Sequence, residues 1–67
     1  MAVARKTDVI ASSKESFQDA VNQAIKRASK TLHGITGLEI VSQKAKVENN
    51  KILEYRVECS ITFILDE

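Results

Sequence analysis

From Ile52 to Leu65 the chain alternates without a break, and this run constrains the fold more than any other feature. Leu53, Tyr55, Val57, Cys59, Ile61, Phe63 and Leu65 fall on one side of an extended backbone. Glu54, Arg56, Glu58, Ser60, Thr62 and Ile64 fall on the other. Strict period-2 alternation is the pattern of a single strand with one buried face. At about 3.4 Å per residue such a strand is on the order of 45 Å long, whereas a compact chain of 67 residues has a radius of gyration of roughly 11 Å. The strand must therefore curl around its partner or project beyond it. Both outcomes point towards oligomerisation.

The length supports the same expectation. Sixty-seven residues make one domain, spanning 1–67, near the lower limit at which a hydrophobic core suffices without disulfides, metal or subunit contacts. A single cysteine and a single histidine exclude an internal disulfide and disfavour a zinc site built from one chain. Ten basic against nine acidic residues, net charge +1, give no dedicated electrostatic surface for nucleic acid or membrane. No apolar run approaches the ~20 residues that cross a bilayer, and the polar start lacks the apolar region of an export signal. A soluble, cytoplasmic protein is the expectation.

Along the chain, residues 3–11 mix β-branched and polar side chains and read as a first strand, with Val3, Arg5, Thr7 and Val9 on one face. Ser12 and Ser13 then offer oxygens to a helix start, and Ser12 with Glu15 has capping-box spacing. Phe17, Ala20, Val21, Ala24, Ile25, Ala28 and Leu32 recur at helical spacing, which predicts an amphipathic helix of about five turns. His33 would lie in its last turn, Gly34 would stop it in a left-handed conformation, and Ile35-Thr36-Gly37 would connect onward. Residues 38–48 read as a second strand with two partly apolar faces: Leu38, Ile40, Ser42 and Lys44 on one, Val41, Gln43, Ala45 and Val47 on the other. Asn49-Asn50 suits a tight turn because asparagine tolerates positive φ, so strands two and three should form a hairpin. The predicted fold is α+β, in the order β-α-β-β, with a three-stranded antiparallel sheet wrapped around one helix.

Catalytic chemistry finds no support in the residues. Cys59 falls on the apolar face of the long strand, where a free cysteine behaves as a small core residue, and His33 has no partner at motif spacing. Gly34 and Gly37 have neither the spacing nor the context of a dinucleotide fingerprint. Lys26, Arg27 and Lys30 form one basic group and Lys44 and Lys46 another. With Glu48, Glu54 and Glu58 on adjoining strands, solvated ion pairs are the simpler reading, and a charged channel in an oligomer is the other. Asp66 and Glu67 would hold a cation only across a symmetry axis.

Three segments in order carry a resemblance: Ile10-Ala11-Ser12-Ser13 before the helix, Arg27-Ala28-Ser29-Lys30-Thr31-Leu32 at its end, and Phe63-Ile64-Leu65-Asp66 near the terminus. Together with the length and the element order, they resemble the dodecins over essentially the whole chain. The resemblance implies a hollow homododecamer of cubic symmetry with ligands between subunits. It also implies non-enzymatic storage of flavins such as FMN, riboflavin or lumichrome, with coenzyme A bound by some members. In flavin-binding dodecins a tryptophan after the helix-to-strand loop stacks on the ring, and a glutamine of the third strand hydrogen-bonds its edge.

This chain departs from that pattern at both aligned positions, with Gly37 for the tryptophan and Arg56 for the glutamine. Glycine removes the stacking platform, and neither neighbour, Thr36 nor Leu38, replaces an indole. Arginine donates hydrogen bonds but accepts none, so it cannot mimic an amide that uses both, although it can hold a phosphate or stack on a ring. The expectation is a dodecin-like small-ligand storage protein with FMN or riboflavin binding weakened. The alternative is a tryptophan-less oligomer that takes calcium or an anionic metabolite, because the missing aromatic and the arginine also resemble dodecin-like proteins associated with calcium.

Overall fold

The computed structural model describes residues 3–65 and follows the predicted element order. Strand β1 runs Ala4–Ser13, helix α1 Phe17–Ala28, strand β2 Ile35–Glu48 and strand β3 Lys51–Ile64. All pairing is antiparallel in the order β1-β3-β2, so the long alternating strand lies at the centre with an open edge on each side. Its alternation is realised at the middle of the strand, where Val57, Cys59 and Ile61 are each 0% exposed. Fully burying side chains of this kind contributes ~1.5–3 kcal/mol each.

Helix α1 packs on β1 and β3. Its buried line is Ala20, Ala24 and Ala28, small residues that let the helix approach the sheet closely. Ala20 and Ala24 meet Val57 and Cys59, with Val9, Ala11, Phe17, Val21 and Leu38 around them. Phe17 meets Tyr55 edge to face, ring centres 4.9 Å apart, the arrangement favoured by the aromatic quadrupole. Burial pushes the Cys59 thiol pKa above its ordinary value, because a thiolate there would be desolvated. The residue is inert core, as its position in the alternation implies.

The helix begins later than the Ser12 cap predicts and ends sooner than its apolar spacing predicts. Ser12 and Ser13 belong to β1, opposite Arg56 and Tyr55. The cap is Ser16, whose Oγ accepts from the Asp19 amide at 2.9 Å. Both Ser12/Glu15 and Ser16/Asp19 have the spacing of a cap, and pairing with β3 decides between them by holding the first serine extended. Ser13 links the two elements: its Oγ accepts from the Glu15 amide and donates to the Asp19 carboxylate. At the other end Ser29 caps the helix and its hydroxyl donates back to the Lys26 carbonyl, the local competition that makes serine a poor interior residue. The helix is thus 12 residues, about three turns. His33 lies beyond it, while Gly34, at φ +70°, supplies the left-handed residue that leads into β2. Replacing Ser16 with alanine is expected to cost about 1 kcal/mol, measured as a lower denaturation midpoint with unchanged slope.

Strand β2 starts at Ile35, so the residues predicted as a connection are extended and paired. Register shifts between Ile35 and Gly37, Ile40 and Ser42, and Lys46 and Val47 mark three β-bulges. The second, which inserts Val41, explains the two partly apolar faces. Leu38 and Ile40 oppose Ile61 and Cys59, and past the bulge Gln43 and Ala45 take over the same side, opposite Val57 and Tyr55. Asn49 and Asn50 close the hairpin at φ 52° and 64°, the mirror-image turn that matches strand twist.

The hairpin reaches well past β1, whose pairing with β3 stops at Tyr55. The molecule measures 52 × 19 × 13 Å with a radius of gyration of 13.9 Å, against roughly 11 Å for a compact chain of this length. On the projecting arm Val47, Ile52 and Leu53 are exposed. The long strand projects instead of curling closed.

Candidate functional site

The side chains with ligand-binding chemistry gather on the sheet face away from the helix. On β3 this face carries Glu54, Arg56, Glu58, Ser60 and Thr62, the residues that alternate with the core. Beside them stand Lys6, Asp8, Ile10 and Ser12 of β1, and Gly37, Glu39, Ser42, Lys44 and Lys46 of β2. Two ion pairs cross or follow the face, Lys6–Glu39 and Arg56–Glu54, each at 3.7 Å. Lys6, Glu39 and Arg56 are exposed and Glu54 is partly buried, and exposed pairs of this kind contribute little to stability.

Both aligned ligand positions, Gly37 and Arg56, lie on this face but not together. Gly37 opposes Thr62, whereas Arg56 opposes Ser12 on one side and Lys44 on the other. Six residues of β3 separate these rungs, about 20 Å, so a single ligand does not span them within one chain. A Cβ added at Gly37 would meet nothing within 4 Å. This glycine is therefore demanded neither by close packing nor by a left-handed backbone.

Around Arg56 the face is concave. One groove of about 340 Å³ is lined by Lys44, Ala45, Lys46, Glu54 and Arg56. A smaller one of about 130 Å³, lined by Ile10, Ser42, Lys44, Arg56 and Glu58, shares Lys44 and Arg56 with it. Among the described residues neither Lys44 nor Lys46 is in an ion pair, which differs from the charge balancing expected of them. A third, open groove of about 680 Å³ runs between the helix and β1, over Val9, Ala11, Ala24 and Leu32 with Arg27 at its rim. Among the described residues no three metal-ligating side chains come together, and Asp66 and Glu67 lie outside those residues.

The juxtaposition of Lys44 with Arg56 was not legible in the sequence. Counting back from the Asn49-Asn50 turn with perfect pairing sets Lys44 opposite Tyr55, on the helix side. The bulge at Lys46/Val47 moves the register by one residue and sets it opposite Arg56, and a one-residue slip reverses the face.

A three-stranded sheet closed over a short helix, with both edges open and its polar groups on the far face, defines a small α+β domain. The family model for dodecin matches residues 3–66. The chain belongs to the dodecin family. Among solved structures, the dodecin from Streptomyces davaonensis is 32% identical over 98% of this chain and 97% of its own, with a TM-score of 0.92. A point variant of the Thermus thermophilus dodecin is 27% identical over the full length of both chains, with a TM-score of 0.95. The calcium-chelating immunodominant antigen calcium dodecin from Mycobacterium tuberculosis is 26% identical over 96% of this chain and 91% of its own, with a TM-score of 0.82. A search of curated proteins finds no match.

Proposed function

We propose that the chain is the subunit of a non-enzymatic homododecamer that binds and stores a small ligand on the helix-distal face of its sheets, without the ring stacking of flavin-binding dodecins. The observation that carries this reading is the open space at Gly37. The aligned platform position is vacant, while the surrounding fold matches dodecins along its whole length. Because Gly37 and Arg56 lie on distant rungs of one sheet, a pocket using both takes them from different copies, which makes the ligand site a property of the assembly. The exposed Val47, Ile52 and Leu53 of the arm and Ile40 and Val41 of the open edge supply apolar surface for such contacts. Among the described residues Cys59 is a buried thiol of raised pKa and so a poor nucleophile, and buffering of a ligand suits the chain better than turnover.

Two measurements test the reading. Light scattering should give a mass near twelve times the 7.4 kDa subunit, and a stable monomer overturns it. Riboflavin, which carries the ring without a phosphate, should show little fluorescence quenching at micromolar protein, and strong quenching would return the chain to the flavin-storage group. The likeness to the calcium dodecin supports a second reading. Calcium raising the melting temperature, reversed by EDTA, would favour it.

A further inference from the structure

We propose that the groove between helix α1 and strand β1 binds an amphiphile with a single carboxylate head and an unbranched apolar tail. This site is separate from the far face of the sheet and goes beyond the storage reading. The groove holds about 680 Å³, and pockets that take small molecules hold ~300–1,000 Å³. Val9 and Ala11 of β1 and Ala24, Ala28 and Leu32 of the facing segment line it, so its floor is apolar. Val9, Ala11 and Leu32 are only half-buried in the chain, and Ile10, which also borders the groove, is 69% exposed. An apolar tail laid along them removes that surface from water.

Charge selects the head group. Among the described residues Arg27 is the single charged side chain on the groove, and it is in no ion pair. Between Asp19 and Glu39 the chain carries no acid, only the basic side chains Lys26, Arg27, Lys30 and His33, so nothing nearby in sequence neutralises it. One guanidinium offers a planar fork that meets both oxygens of a carboxylate, and one positive charge balances one negative. The same charge argues against the projecting arm of a second copy as the occupant. Val47, Ile52 and Leu53 would suit the apolar floor, but the hairpin around them carries Lys44, Lys46, Lys51 and Arg56 against only Glu48 and Glu54, an excess of the same sign as the groove.

The test is calorimetric titration of the assembled full-length protein with decanoate and with decanol, each kept below the concentration at which it aggregates. The two share a chain length and differ in the head group, so their affinity ratio reads Arg27. The expected result is decanoate bound once per chain and roughly tenfold tighter than decanol, the effect of one charge-assisted contact. Arg27→Gln should bring the ratio to about one, whereas Lys26→Gln, at an exposed neighbour that does not line the groove, should leave it unchanged. Ala11→Leu fills the floor and should weaken both ligands together. Light scattering and a thermal melt check that each variant keeps the mass and fold of the parent. No binding of decanoate by the parent protein, which is also the result of a groove closed by a second copy, would overturn the proposal. So would equal affinity for the two ligands, a ratio that survives Arg27→Gln, or one that falls as far in Lys26→Gln. None of these readouts involves riboflavin, so their failure is distinct from failure of the storage reading.

Discussion

Replacing Ile61 with alanine is expected to lower the unfolding free energy by about 2–5 kcal/mol. Ile61 is 0% exposed on β3, the central strand of the sheet, with Thr7 and Leu38 as its neighbours on the two flanking strands. Truncation removes apolar contact on both sides at once and leaves a cavity between elements that cannot readily collapse, because the sheet pins the backbone on either side. Domains are stable by only about 5–15 kcal/mol, so a large part of the total is at stake. Chemical denaturation would show the midpoint falling with little change in slope. A loss below about 1 kcal/mol would mean that the middle of β3 is not the core, and would remove the basis for assigning the opposite face to ligands.

Introducing tryptophan at Gly37 is expected to create riboflavin binding without loss of stability. The position has open space on its Cβ side and a backbone that does not require glycine. Stacking on an aromatic ring contributes ~1–3 kcal/mol, equivalent to an affinity gain of roughly 5- to 150-fold. A sandwich between symmetry-related copies would double the contact. Fluorescence quenching of riboflavin by Gly37→Trp beside the native chain reads the gain directly, and a thermal melt checks the fold. An unchanged titration with an intact fold would mean that Gly37 does not border the ligand, and that the alignment of this position with the family's stacking residue is mistaken.

Legibility in the sequence followed the range of the interactions. The Asn49-Asn50 turn and the alternation of β3 are set by backbone preference and by burial over adjacent residues; the turn appears as expected and the alternation holds around Val57, Cys59 and Ile61, whereas Leu53 and Leu65 at its ends are exposed. The helix was placed correctly by the stripe through Ala20, Ala24 and Ala28, but its ends were not. Pairing of Ser12 and Ser13 with a strand more than forty positions away overrides local capping, and no pattern within the segment records that competition. The bulges are less visible still. Each inserts one residue whose effect is to exchange faces, so Gly37 and Arg56 could be named from the aligned pattern while Lys44, the direct partner of Arg56, could not. The separation of Gly37 from Arg56 along β3 is likewise a property of register, which composition and spacing do not carry.

The same period of two has a consequence for how such a protein can change. Val57 and Cys59 hold the helix, while Arg56, Glu58 and their neighbours across the strands form the face proposed for the ligand, so stability and the proposed cargo are written on alternate letters of one strand. A substitution at an exposed even-numbered position such as Arg56 leaves the core intact, and the open space at Gly37 extends that freedom to the edge strand. One scaffold can therefore pass from one ligand to another by single replacements, each intermediate remaining folded. Selection for a new cargo need not first rescue the fold.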